Sequence, residues 1–313
     1  MEPSKSANAK FNWLTRFATT VVLVLAIFAA TRGMIRALPG NPLDTLIAES
    51  GTPLSSEILR EEFHLDEPFW KALGSDIQRA AHGDLGISIT TRQPIAPLLF
   101  HRTVKTLELT ALSVVFMILL SVSLGLSAAD PTTSIGRIAD PLCTFYGAIV
   151  SAMPAPWIGP LLMVILCVWI PVFPVGDHIL LPALTLSLSF TGLWSRLIRQ
   201  RVRETLETGA APGARARGIP EWKVLLKYGL APCSGALLAY LGTQIGGLMA
   251  GAFVTETIFD WPGMGDLLIT SVLRRDYPVV ESAAFIAAVA ALLGNALGNW
   301  AQNFVDPRIR SEG

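Results

Sequence analysis

Between residues 194 and 231 lie eight basic residues, Arg196, Arg199, Arg201, Arg203, Arg215, Arg217, Lys223 and Lys227, against three acidic ones, Glu204, Glu207 and Glu221. The chemistry that such a stretch supports is recognition rather than bond-making. Its middle is crowded with small residues and helix breakers, from Gly209 to Gly218, and Pro220 follows. After Pro220, apolar Trp222, Val224, Leu225, Leu226, Tyr228 and Leu230 alternate with Lys223 and Lys227 at helical spacing, which predicts a short amphipathic helix in need of an apolar partner. A helix, a turn of small side chains and a second helix read either as a docking element for a cytosolic protein or as a loop lying on the protein's own helix ends.

Groups that would make or break bonds are poorly placed. His64, His82, His101 and His178 are scattered, and Cys143, Cys167 and Cys233 sit in apolar segments without metal or redox spacing, as small core or lipid-facing residues. There is no Gly-x-Ser-x-Gly turn for an activated serine and no Gly-x-x-x-x-Gly-Lys-Ser/Thr loop to cradle phosphates. The chain is therefore expected to be no enzyme, and to bind no metal and no cofactor of its own.

The elements that position the basic stretch are apolar. Of the 313 residues 51% are hydrophobic and only 15% charged, well short of the roughly 25% charged residues of soluble domains, and the mean hydropathy is +0.50. Zero net charge gives no sign of nucleic-acid binding. Six apolar spans are expected: the first within residues 1–36, then about 104–128, 141–170, 179–198, 233–256 and 279–304. Residues 17–30 resemble a signal-peptide core, but with their flanks, and with Arg32 and Arg36 snorkelling, they reach spanning length, so a retained first helix is favoured. Basic residues before it place the N-terminus in the cytoplasm, and six spans bring residues 306–313 back to the same side. Residues 37–100 carry nine acidic against four basic residues, which suits an outer segment. Short helices are expected at 55–63 and 70–81, and Arg274 and Arg275 are expected to pair with Asp276 or Asp266.

Within the expected core, residues 101–305, few polar groups are candidates for lining a path. Ser151, Met153 and Pro154 lie at a proline-rich interruption, which is either a path-lining break or a kink between packed helices. Gln244 either faces a path or hydrogen-bonds between helices, and Glu256 lies at a span end. Mid-span carboxylates and histidines of the kind proton-coupled carriers use are nearly absent. Gly242, Gly246, Gly247 and Gly251 stand at small-xxx-small spacing, which implies tight helix packing.

Several short motifs occur in an order that resembles one family. They are Leu38-Pro39-Gly40-Asn41-Pro42, His64-Leu65-Asp66-Glu67-Pro68, Gly83-Asp84-Leu85-Gly86, Leu181-Pro182-Ala183-Leu184-Thr185-Leu186, Glu256-Thr257-Ile258-Phe259, Trp261-Pro262-Gly263-Met264-Gly265, Arg275-Asp276-Tyr277-Pro278-Val279-Val280 and Asp306-Pro307-Arg308-Ile309-Arg310. Together they resemble the first, B-type permease subunit of ABC importers of the dipeptide/oligopeptide/nickel class. The resemblance implies an all-α polytopic subunit of about six transmembrane helices, with an outer domain between the first two and a cytoplasmic coupling loop, about residues 200–231, between the fourth and fifth. It implies a bacterial inner-membrane location and four kinds of partner: a second homologous permease, two ABC ATPases that bind the ATP and magnesium, an extracytoplasmic substrate-binding protein, and the bilayer. Gly213, Ala214, Arg215, Ala216, Arg217 and Gly218 match the family's coupling motif, and Leu225 and Leu226 are expected to pack the following helix. Ala210-Ala211-Pro212-Gly213 departs from the family pattern, and because proline starts helices but does not continue them, a shorter or later coupling helix is expected. A carrier or channel without ATPases and a membrane anchor for a cytosolic partner are the competing readings. The outer segment would dock the binding protein or cap the pore.

Overall fold

The computed structural model describes residues 82–153, 155–173, 178–208 and 210–305, and positions 19, 22–27, 29, 30, 33, 68, 71, 74, 75, 78 and 79. The expected helix at 55–63, the Leu38–Pro42 turn, Pro154 and the tail 306–313 lie outside the described residues. Positions described within the expected first span and within 70–81 are helical, apart from Pro68 just before the latter. The chain is all-α. In order, α1 covers Ile95–Ser127, α2 Ser134–Ala152, α3 Ala155–Met163 with a π-helical continuation Val164–Trp169, and α4 Leu180–Glu207. Then come α5 (Ala211–Ala216), α6 (Glu221–Lys223), a π-helical segment Val224–Leu230, α7 (Ala231–Phe259), α8 (Met264–Leu273) and α9 (Tyr277–Val305).

Two boundaries have simple causes. Met153 precedes Pro154 and is extended (φ −88°, ψ 131°), as a residue before proline prefers, so α2 stops there and α3 starts afresh at Ala155. The amphipathic segment after Pro220, by contrast, is no separate helix. It runs unbroken into α7, and the Ala231 N–H reaches back five residues to the Leu226 carbonyl, so the wider π turn accommodates Pro232 in the first turn of α7. The expected fifth span at 233–256 is thus the continuation of a helix that begins near residue 221.

Among the described residues, three segments are long and apolar enough to cross a membrane: Ile95–Ser127, Glu221–Gly242 and Tyr277–Gly294. The expected fourth span is not among them, although α4 is long. Thr185, Ser187, Thr191 and Ser195 are all buried along it. A helix enclosed by other helices can carry hydroxyls that bond to its own carbonyls, as Ser187 does to Leu184 (2.7 Å) and Thr191 to Ser187 (2.8 Å).

The contacts divide the chain into two units, one of residues 1–103 and 267–292, the other of residues 104–266 and 293–313. In the first, a tight loop at 86–95 is closed by Ser88 N–H to Gln93 O (2.9 Å) and Ile95 N–H to Gly86 O (3.0 Å). The Asp276 carboxylate, 2% exposed, accepts from Ser88 Oγ (2.5 Å), Ile89 N (3.1 Å), Thr90 N (3.2 Å) and Thr90 Oγ1 (2.6 Å). Arg274 and Arg275, expected to pair with Asp276, do not hold that carboxylate. Arg275 is exposed and left-handed (φ 55°) and closes α8, with its own N–H on Val272 O and that of Asp276 on Ser271 O.

The second unit is built around α4. Leu186, Trp194, Ile198, Val202 and Leu206 of α4 share one buried cluster with Leu109 and Met117 of α1, Leu237, Leu248 and Ala252 of α7, and Val224. Glycines permit the close crossings. A Cβ on Gly125 of α1 would stand 2.8 Å from both Ile198 Cβ and the Ser195 carbonyl oxygen, and Gly147 of α2 lies directly against Gly192 of α4. Gly251 of α7 approaches Leu186 in the same way, as its small-xxx-small spacing implied.

The Gly125 contact makes a prediction opposite in sign to helix propensity. Alanine is favoured over glycine in a helix by about 1 kcal/mol, yet Gly125→Ala pushes on backbone and a β-branched side chain, an overpacking that costs roughly 1–3 kcal/mol. The melting temperature of detergent-purified protein is expected to fall for Gly125→Ala. It should hold or rise for Gly213→Ala in α5, where an added Cβ meets nothing within 4 Å.

Candidate functional site

The basic stretch folds as a three-part hairpin: the end of α4, the short α5, and the α6–π segment leading into α7. Ala210 opens α5 and Pro212 sits in its first turn, where its missing N–H costs nothing. The helix covers Ala211–Ala216, six residues, and begins before Pro212 rather than after it. Gly218 ends it in the left-handed conformation (φ 72°), with its N–H on Arg215 O (2.9 Å) and that of Ile219 on Ala214 O (3.2 Å). This paired closure needs a residue that tolerates positive φ, which is the physical reason for glycine there.

The hairpin has an inner and an outer face. Ala211, Ala214 and Val224 are 0% exposed and join the cluster of Val202 and Leu206. Gly229 lies so close to α4 that a Cβ there would meet Val202 Cγ1 at 2.8 Å. Pro212, Gly213, Ala216, Arg217 and Gly218 are exposed on the other side, beside Trp222 (61% exposed) and Leu226 (44%). The six-residue motif read from sequence is therefore divided: Ala214 holds the helix down, Arg215 turns sideways, and the other four face out. Leu225 packs on the core as expected, whereas Leu226 does not and belongs to the outer face.

Much of the basic charge is committed internally, to residues 128–144. Arg215 ion-pairs with Asp130 and, through Nη2, with Glu221 Oε1 (2.6 Å). Arg203 donates to the Ala128 and Ala129 carbonyls, both at 3.1 Å, where the end of α1 leaves acceptors unmet, and it lies 3.3 Å from Asp140. Arg199 ion-pairs with Asp140 and donates to Thr144 Oγ1 (2.7 Å). Asp130 also folds its own turn, accepting from Thr132 N (2.9 Å) and Thr132 Oγ1 (2.6 Å), and Thr133 caps α2. Burial by itself pushes the Asp130 carboxyl up. The Thr132 hydrogen bonds and the guanidinium groups of Arg215 and Arg203 outweigh it and hold the group below its ordinary 3.8. Sequence reasoning missed Asp130 and Asp140. Their signal was two carboxylates in the short stretch between the expected second and third spans, on the side of the membrane where basic residues collect.

Pro154 lies outside the described residues, and the other path candidates fall on two helices. Ser151 lies in the last turn of α2, Met153 ends that helix, and Gln244 is half-buried on α7. Glu256 is 0% exposed, and its carboxylate accepts from Gly265 N–H (2.7 Å) at the start of α8. It shapes the Trp261-Pro262-Gly263-Met264-Gly265 turn instead of facing open space. Gly263 lies against the Glu256 carboxylate with no room for a Cβ, Trp261 Nε1 donates to Lys105 O (3.1 Å), and Met264 N–H to Thr106 Oγ1 (2.8 Å).

Residues 118–311 match the family described as the binding-protein-dependent transport system inner membrane component. The chain is 27% identical over 330 aligned positions to the dipeptide transport system permease protein DppB of Alkalihalophilus pseudofirmus, covering 95% of this chain and 98% of that one. It is 30% identical over 281 positions to the glutathione transport system permease protein GsiC of Escherichia coli K12, covering 88% of this chain and 91% of the relative.

Two measurements check this geometry. Gly263→Ala drives a methyl into a buried carboxylate and should lower the melting temperature, while the double variant Gly263→Ala/Glu256→Ala should recover part of the loss by removing the clashing group. For Asp130, a folded pKa below the unfolded 3.8 means that its stabilisation is complete above that value and is lost as pH falls through the folded pKa. Hydrogen exchange over residues 128–134, referenced to Asp130→Asn, should quicken only below about pH 4. Quickening between pH 5 and 7 would contradict the assignment.

Proposed function

This chain belongs to the family of binding-protein-dependent transport system inner membrane components, and we propose that within such an importer it is the permease subunit that carries small peptides. Membership sets aside the readings of a carrier without ATPases and of a bare anchor. Peptide cargo is supported by the dipeptide and glutathione permeases that the chain resembles over most of its length.

The observation that carries the mechanism is the outer face of α5. Gly213, Ala216 and Gly218 have little or no side chain, so a partner can approach their backbone closely, and Pro212, Arg217, Trp222 and Leu226 of the same hairpin are exposed as well. Beneath it the hairpin is packed without a gap on α4 and α7. A push or pull on α5 is thus delivered to two long helices. ATP binding and hydrolysis take place in two separate ATPase subunits, with their magnesium, and this chain contributes no hydrolytic group. Closure of the ATPases drives the bundle between inward-open and outward-open states, which differ in their contacts with the partners. A second, similar permease completes the pathway, a binding protein delivers cargo at the outer face, and both termini lie in the cytoplasm of a bacterial inner membrane.

Ala216→Glu tests this reading, since it puts a charge on the exposed face without touching the inner one. Membrane insertion is expected to be normal, while ATPase subunits no longer co-purify in mild detergent and dipeptide uptake is lost. Gly218→Glu should do the same, but it adds left-handed strain of roughly 1–2 kcal/mol. Gly218→Asn, whose side chain tolerates that conformation, should retain the partner. Full association and uptake in Ala216→Glu would overturn the docking face.

A further inference from the structure

We propose that Asp130 is a positioning residue for energy coupling: its ion pair with Arg215 fastens the α1–α2 loop to α5, so that force on α5 reaches α1 and α2 directly. The inference rests on the coupling role given to α5 above and adds the route by which movement leaves it.

Side chains of the hairpin hold the start of the α1–α2 loop and the second turn of α2. At the α1 end, Arg203 occupies the last carbonyls of the helix and Arg215 takes Asp130; at the α2 end, Arg199 and Arg203 share Asp140. The two fastenings differ in origin. Arg199 and Arg203 belong to α4, so they tie the loop and the start of α2 to a helix that is already packed against α1 and α2 through Gly125 and Gly147. Arg215 alone belongs to α5, the outward-facing element.

Apolar contacts between α5 and its neighbours can slide, because dispersion and burial have no preferred direction. The Asp130 contact cannot slide in this way. Its carboxylate is 9% exposed, and Thr132 N–H and Oγ1–H fix its orientation, so the guanidinium meets an acceptor of set position. Glu221 shares Nη2 of the same guanidinium (Oε1, 2.6 Å) and also accepts from its Nε (Oε2, 3.2 Å), and thereby ties both flanks of the Gly218 turn to one side chain. Removing the charge from Asp130 leaves α5 seated on Val202 and Leu206 and its outer face unchanged, but it leaves Arg215 joined only to Glu221 of its own hairpin. The expected result is an importer whose ATPases still dock and turn over while less of the cycle reaches α1 and α2.

The test uses the assembled importer, with ATPases, second permease and binding protein, in proteoliposomes, and reads dipeptide uptake per ATP hydrolysed. Asp130→Asn keeps an acceptor for Thr132 and the side-chain volume. It should co-purify with the ATPases at parental level yet lose about five-fold or more in uptake per ATP, the lower end of measured coupling effects. Arg215→Gln should do the same, Arg215→Lys should recover most of the parental ratio, and Asp130→Asn/Arg215→Gln should be no worse than either single variant. Parental uptake per ATP in Asp130→Asn, or losses that multiply in the double variant, would overturn the inference. Failure of Ala216→Glu to release the ATPases would instead remove the coupling role of α5 itself, a result that is read in association and not in the ratio.

Discussion

The polar side of helix α4 has to be covered by the helices around it, and the rest of the second unit follows from that requirement. Thr185, Ser187, Thr191 and Ser195 are all buried along its length, so this polar side lies against neighbouring helices, while Leu180 and Leu193 are its exposed apolar residues. The neighbours can cover it only by coming close. Gly125, Gly192 against Gly147, and Gly251 occupy crossings at which a methyl group would force backbones or branched side chains apart. The polar character of α4 and the glycines of its neighbours are two sides of one constraint. This packing also gives α4 a fixed direction as it leaves the bundle, and its last three turns become the platform on which the outward-facing hairpin rests.

Electrostatics then settles where that hairpin can lie. The end of α1 presents unmet carbonyls, the loop after it presents Asp130, the second turn of α2 presents Asp140, and α4 and α5 offer arginines that reach them. Arg203 and Arg215 satisfy acceptors at Ala128, Ala129 and Asp130 that would otherwise be buried without partners, and Arg199 adds a pair with the half-buried Asp140. What remains outside is a face of small residues, with Arg217, Trp222 and Leu226 of the same hairpin exposed as well. The division of labour is therefore physical. Charges hold the element in register with its own protein, and the lack of side chains leaves its other surface open to close approach.

A different solution appears in the first unit, where one buried carboxylate, Asp276, satisfies four donors of a loop almost 190 residues away in sequence. The Glu256 turn follows a similar logic in the second unit: a carboxylate meets the first amides of α8 and requires glycine at position 263. Both motifs were visible as short strings in the chain, yet their meaning was not. Asp276 looked like a partner for neighbouring arginines, and Glu256 like a polar group available to a pathway. In each case the true partner is a backbone amide or hydroxyl brought up by the fold. Donors of that kind occur at every position and carry no signature in sequence.

Composition and periodicity by themselves determined a helical membrane protein and a basic interruption late in the chain, and the resemblance carried by its short motifs added the coupling element with Pro212 near its start and the turn at Gly218. These features depend on local properties: apolar length, proline geometry and the freedom of glycine to adopt positive φ. Tertiary structure alone decided which way each residue of that stretch faces. It turned Ala214 inward and Leu226 outward, gave Arg199, Arg203 and Arg215 carboxylates from the α1–α2 loop and the start of α2, some 60–85 residues earlier, and buried the hydroxyls of α4, which mean apolarity could not identify as a membrane-crossing helix. The reason is that burial and charge pairing depend on what lies across the gap, and the sequence orders residues along the chain without saying which of them meet.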